Sequence, residues 1–284
     1  MKKLLSLVLV LILVLSVACF AGCGGDSEKV TAKVIEIDLT DEEYAFGVDK
    51  NQPELLAKAN DFIKQIKENG KFEEICDKYF GDGTPTPVTS ATLDTSKDQL
   101  VVATNAQFEP FEYTQGDKYL GIDMEIAAAF AQYLNQELVI VNMEFDAVCL
   151  TVGQHKCDIA MAGLTVREDR MEHVAFTDTY YIASQRLIVC SNDKKFDNCK
   201  TVEDVEKILN GFDSKVKIGV QNGTTGQFYC EGDEDWGFDG YKVTTVGYKN
   251  GSLAVQDMLN GNINYVVIDS APAKCITESI NELR

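Results

Sequence analysis

The sequence predicts an α/β fold in two lobes. Short apolar strands alternate with amphipathic helices along most of the chain, about 260 residues follow an apolar leader, and a Gly/Pro/Thr-rich stretch interrupts the early part of the chain. In order, Val34-Ile35-Glu36-Ile37 alternates as a strand. Residues 53–69 place Leu55, Leu56, Ala59, Phe62, Ile63 and Ile66 on one helical face, closed by Gly70 in the C-cap position. A shorter helix over 72–80 ends at Gly81. Residues 82–97 carry few groups able to build a core and read as a linker inside the chain. Beyond it the pattern predicts strands over 99–104, 137–143, 157–162, 186–190, 217–220 and 265–268. Helices are expected over 123–134, 147–154, 202–209 and 253–260, with a last one from Ala271. Such alternation argues for mainly parallel sheets.

Met1-Lys2-Lys3 precedes an apolar run from Leu4 to Ala18, the form of a secretion signal, with a spanning helix as the competing reading. The run decays into Phe20-Ala21-Gly22-Cys23-Gly24-Gly25, which resembles the lipobox of bacterial lipoproteins, whose Cys is diacylated and becomes the first residue. Cys23 is the expected lipidation site, since the alternative, Cys19, has Ser16 where that motif prefers a large apolar residue. Residues 1–22 then form the signal peptide and 23–33 a small, polar tether. The expected location is the outer face of the cell membrane, held by lipid alone.

A formal net charge of −19 repels phosphate backbones and argues against nucleic acid as a partner. Of nine cysteines, Cys19 and Cys23 leave the folded body, so an odd number remains and they cannot all pair with one another. Cys190 and Cys199 are near enough in sequence for one bridge, but scattered buried thiols are the simpler reading. With two histidines and no CxxC, neither a zinc site nor another metal or cofactor is expected. The acidic turn 233–240 lacks the fifth- and twelfth-position ligands of a calcium loop and reads as a solvated turn.

From Thr104-Asn105-Ala106-Gln107-Phe108-Glu109-Pro110-Phe111-Glu112-Tyr113 onward, the chain resembles the polar amino-acid solute-binding proteins of ABC importers. Gly121-Ile122-Asp123, Met143-Glu144-Phe145-Asp146, the stretch from Ala162 to Arg170, Phe176 to Tyr181, Gly219 to Gly226 and Val267-Ile268-Asp269 continue the likeness in order. Thr40 to Val48 and the segment from Pro53 to Gly81 look like that family's C-terminal part, yet they stand first, and the chain stops at Arg284 where that part would follow. The resemblance therefore implies a circularly permuted chain of the two-lobed periplasmic-binding-protein-like type II fold, with two hinge crossings and termini placed where a change is tolerated. The implied division is 34–43 as the final strand of lobe 2 and hinge, 44–81 as lobe 1, and 82–97 as linker. Residues 98–184 complete lobe 1 and the hinge, and 185–284 form lobe 2.

The resemblance implies capture of a free L-amino acid by a monomer that delivers it to an ABC transporter permease, with no catalytic residue. Enclosing a zwitterion requires a cation and an anion, each hydrogen-bonded. Arg170 suits the carboxylate through its planar fork, against a plain reading as a surface Arg in a charged run. Asp269 ends an apolar strand and suits the ammonium, against or alongside a helix N-cap. The Gly163 carbonyl and Thr165 hydroxyl should share the ammonium, and backbone N–H groups of Thr165 and Thr225 should reach the carboxylate. Phe108 and Phe145 match the aromatics flanking the ligand side chain. Asn105 stands where an Asp often serves cationic ligands, and Gln221 and Ile268 differ from a close glutamine binder, which favours a neutral or polar amino acid. Dehydratases that share the fold need a positioned acid or base, and no His or spare Glu stands among the matched positions. A receptor sensor module would require a spanning helix after the lobes.

Overall fold

A computed structural model describes residues 29–284. The signal peptide and Cys23 lie outside the described residues.

The chain enters with strand Ala32–Ile35 (β1), then Glu42–Tyr44 (β2) and Gly47–Asp49 (β3), followed by helices Pro53–Glu68 (α1) and Lys71–Phe80 (α2). Past the Thr/Pro stretch come Gln99–Thr104 (β4), a small sheet of Gln107–Phe108 (β5), Glu112–Gln115 (β6) and Lys118–Leu120 (β7), and helix Ile122–Leu134 (α3). Glu137–Asn142 (β8), Val148–Gly153 (α4), Ile159–Ala160 (β9), Glu168–Met171 (α5) and Val174–Phe176 (β10) follow. The remainder is Tyr181–Ala183 (β11), Gln185–Cys190 (β12), Val202–Leu209 (α6), Lys217–Gln221 (β13), Thr225–Glu231 (α7), Thr244–Tyr248 (β14), Gly251–Leu259 (α8), Tyr265–Asp269 (β15) and Ser270–Glu282 (α9).

Two five-stranded sheets form two lobes. One runs β10-β3-β9-β4-β8, the other β1-β12-β15-β13-β14. Between them β2 and β11 pair antiparallel, with Tyr44 opposite Tyr181 and Glu42 opposite Ala183. The expectation of mainly parallel sheets needs correction. In each sheet the three strands β8, β4 and β9, or β14, β13 and β15, are parallel. The strand inserted beside them, β3 or β12, runs antiparallel to both of its neighbours. It arrives directly from the hinge rather than through a crossover helix, so it must run the other way.

Helix α1 begins on Pro53, where a missing N–H costs nothing, and buries Ala59, Phe62, Ile63 and Ile66. Burying each of the larger three stabilises the fold by roughly 1.5–3 kcal/mol. Phe62 meets Phe130 of α3 at 5.1 Å between ring centroids, so helices on either side of the Thr/Pro stretch share one core. Gly70 takes φ +78 between α1 and α2, a conformation that costs other residues about 1–2 kcal/mol.

The Thr/Pro stretch is tied down more firmly than its composition suggests. Val88 is buried and exchanges backbone hydrogen bonds with Tyr119 (2.8 and 3.0 Å), and Ala91 N–H donates to the Leu138 carbonyl. Glu125, buried in α3, accepts from Thr86 N–H, Tyr79 Oη and Lys78 Nζ. The tether is also shorter than expected, because Ala32 and Lys33 already pair with Cys190 and Val189. All seven described cysteines are free thiols, Cys190 and Cys199 among them.

Candidate functional site

The expected ligand residues follow the C-terminal ends of the parallel strands in both lobes, where open α/β sheets bind ligands. Asn105 follows β4, Phe145 follows β8, and Gly163 and Thr165 follow β9. Gln221 ends β13, Thr225 opens α7, and Asp269 ends β15. Arg170 lies in the single turn α5, where its side chain is buried.

Arg170 Nη1 donates to the Thr165 carbonyl (2.8 Å) and Nη2 to the Gly223 carbonyl of the other lobe (3.0 Å), while its guanidinium lies 5.1 Å from the Phe145 ring centroid. Two of its five N–H donors are thus engaged with backbone, so the fork is fixed across the lobes rather than free on both prongs. Gly163 adopts φ +54, and its N–H donates to Asp123 (2.9 Å). A Cβ there would stand 3.0 Å from Phe108 Cε1, so the glycine lets Phe108 lie against the loop. Phe108 is buried and stacks on Phe111 at 6.0 Å. Asn105 donates to the Met143 carbonyl (2.6 Å) and accepts from Gln221 Nε2 (3.2 Å), an amide pair that bridges the lobes. Thr225 is buried with its hydroxyl oxygen unpartnered, as is Gln221 Oε1. Thr224 Oγ1 donates to the Gln221 carbonyl and holds the turn before α7.

Asp269 occupies the N-cap position of α9 but makes no side-chain cap. Its carboxylate accepts from the Tyr44 hydroxyl instead. Burial, with Glu42 nearby, pushes Asp269 up to about 7, while hydrogen bonds from Tyr44 and Gln185 oppose that shift. Burial likewise pushes Asp123 up to about 7, against the hydrogen bonds it accepts from Gly163 and Tyr180. Glu112 is fully buried with both oxygens unpartnered, and burial beside Asp123 and Asp269 drives it far above the usual carboxylate range.

The structure adds an acid where sequence reasoning found none to spare. Glu42, on β2 and 2% exposed, accepts from the hydroxyls of Thr165 and Thr40 (both 2.6 Å) and from Gln185 Nε2 (3.0 Å). In sequence it sits in Asp41-Glu42-Glu43, at the end of the segment 34–43 read as strand and hinge; only the alternation Glu42 in, Glu43 out, Tyr44 in could have distinguished it. Arg167 was missed as well. Its guanidinium lies 4.0 Å from the Phe228 ring centroid and 5.5 Å from that of Trp236, and bonds Asp169 in its own lobe and Asp233 in the other. Lys249 pairs with Glu144 (2.9 Å) along the same interlobe seam. The lobes therefore meet in a closed arrangement. Among the described residues no cluster of His, Cys, Asp and Glu has metal-binding geometry, and no helix is long and apolar enough to cross a membrane.

Residues 100–269 match the family described as bacterial extracellular solute-binding proteins, family 3. The chain is similar to the arginine-binding extracellular protein ArtP of Bacillus subtilis (strain 168), 30% identical over 39% of this chain and 43% of that protein. It is also similar to the histidine-binding periplasmic protein of Escherichia coli (strain K12), 27% identical over 61% of each. The chain thus spans less than two thirds of the length of these relatives. An ancestral arginine-binding protein bound to arginine superposes with a TM-score of 0.54 at 29% identity, covering 64% of this chain and 75% of that one. The ancestral amino acid-binding protein AncCDT-1, a precursor of cyclohexadienyl dehydratase, gives 0.54 at 28%, with the same coverage.

Proposed function

Because the chain belongs to the bacterial extracellular solute-binding proteins of family 3, we propose that it encloses a free L-amino acid between its lobes and delivers it to an ABC importer. One observation carries the reading. A buried guanidinium, Arg170 of the first lobe, bonds the Gly223 carbonyl of the second, and a buried carboxylate, Asp269 of the second lobe, accepts from Tyr44 beside the hinge. A zwitterion satisfies both charges, whereas a ligand lacking either leaves one unpaired at a cost of several kcal/mol. The ligand docks first on Arg170, Gly163 and Thr165, and Asp269 with the Thr225 turn seals it from the other lobe. Ligand contacts made only when the lobes meet supply the differential stabilisation that favours closure.

We read the ligand side chain as neutral or polar. Phe108 and Phe145 would flank it, and Asn105 and Gln221 offer it amides, while Glu42 and Asp269 stand at the ammonium end. The protein is a binder rather than an enzyme, with the Glu42 carboxyl engaged by three donors. Diacylation at Cys23 holds it outside the cell as a monomer, and release of a Cys23→Ser variant into the medium is the result expected. Circular permutation accounts for β1 and β3 completing sheets whose other strands come later in the chain.

A thermal-shift screen of the purified protein against the L-amino acids tests the reading. At a hundredfold excess over Kd, binding adds about 2.7 kcal/mol, which raises the midpoint by about 5–10 °C in a protein of this size. Arg170→Ala is expected to abolish the shift with an unchanged far-UV circular dichroism spectrum. No shift with any amino acid, or an undiminished one in the variant, refutes the proposal.

A further inference from the structure

We propose that Glu42 is a positioning residue that makes the ammonium end of the site selective, by turning the Thr165 hydroxyl into a fixed acceptor and by adding a second carboxylate beside Asp269. The inference rests on the reading of Asp269 and Thr165 as ammonium partners given above.

A hydroxyl donates once and offers two lone pairs. In this structure the one donation of Thr165 goes to Glu42 at 2.6 Å, with both groups buried, so its lone pairs are what remain for a ligand. An ammonium, with donors only, suits such an oxygen; a ligand group that is itself an acceptor does not. Glu42 is in turn held from both hinge segments, by Thr40 from its own and by Gln185 Nε2 from the start of β12. Tyr44, two residues on along the same strand, donates to Asp269. One short strand therefore sets both halves of the ammonium site, with Glu42 acting through the first-lobe hydroxyl and Tyr44 on the second-lobe carboxylate. Its position explains why it is a carboxylate: a glutamine there would present an amide N–H₂, and wherever that group faced Thr165 the hydroxyl would have to accept from it and aim its proton elsewhere.

The test is selectivity, not stability. The probes are the standard L-amino acids and the deaminated counterpart of whichever binds tightest, glutaramic acid in the case of L-glutamine. Calorimetric Kd values are measured for the full protein, Glu42→Gln and Glu42→Asp, each checked for fold by far-UV circular dichroism. The expected result is that the preference for the amino acid over its deaminated counterpart falls about 10- to 100-fold in Glu42→Gln, the span of one hydrogen bond to a charged group. Glu42→Asp, which keeps the charge on a shorter stem, is expected to recover part of it. A residue that merely supports the fold weakens both ligands alike and leaves the ratio unchanged. An unchanged ratio in the folded Glu42→Gln variant overturns the role of Glu42 while leaving the site intact. No binding of any L-amino acid by the parent protein overturns the reading of the site, and this inference with it.

Discussion

Arg167 lies outside the expected ligand contacts, yet the structure assigns it a large share of interlobe closure. Its guanidinium faces Phe228 and Trp236 of the second lobe at 4.0 and 5.5 Å, and Nη2 donates to Asp233 at 3.2 Å. A desolvated cation–π contact is worth about 2 kcal/mol, and a hydrogen bond between charged groups about 1.5–3 kcal/mol. Nη1 is buried without a partner, and relieving it on truncation offsets about 1 kcal/mol. Arg167→Ala is thus expected to disfavour the closed arrangement by about 2.5–4 kcal/mol and to raise Kd roughly 60- to 700-fold. Stability of the separate lobes should change little, since its ion pair within its own lobe is with Asp169, which is half exposed. Trp236 is the single tryptophan, so its emission reports the seam directly. Titration of parent and variant by calorimetry and by fluorescence checks both quantities. An Arg167→Ala protein with parental Kd and a parental emission change on ligand addition would refute the reasoning.

Asp269, raised to about 7 in the folded protein, must lose its proton to accept an ammonium, so affinity should fall about tenfold for each pH unit below 7, with proton release on binding measurable by calorimetry in buffers of differing ionisation heat. The same raised pKa means that the stability it contributes to the unliganded fold is present below about 4 and is lost as pH rises through 7. Asp123 titrates in the same range, and an Asp123→Asn variant that keeps the pH slope assigns it to Asp269. Gly163→Ala should lower the thermal midpoint by a few degrees, since it sets an alanine at φ +54 within 3.0 Å of Phe108 and 3.3 Å of Tyr44, at a cost of about 1–2 kcal/mol; an unchanged midpoint contradicts that placement.

How far the sequence reaches depends on the range of the interaction. The helix α6, residues 202–209, and the stripe Ala59, Phe62, Ile63, Ile66 were legible because helical periodicity is local and repeats over several turns. Strands β2 and β3, of three residues each, are too short to show a period, and β14 alternates weakly because its faces are only half covered. The antiparallel insertion of β3 and β12 follows from where the hinge delivers the chain, which no local window contains.

By itself, then, the sequence determined the α/β class and the residue types of the site. Apolar period and turn residues are encoded locally, and Arg170 and Asp269 stand in segments that resemble a family. Only the tertiary structure decided that Arg170 is clamped by two carbonyls from different lobes, that Arg167 lies between Phe228 and Trp236, and that Glu42 rather than Glu43 turns inward to Thr165. Each joins groups dozens of residues apart in sequence, and the pairing of a buried charge depends on what the fold brings beside it once water is excluded.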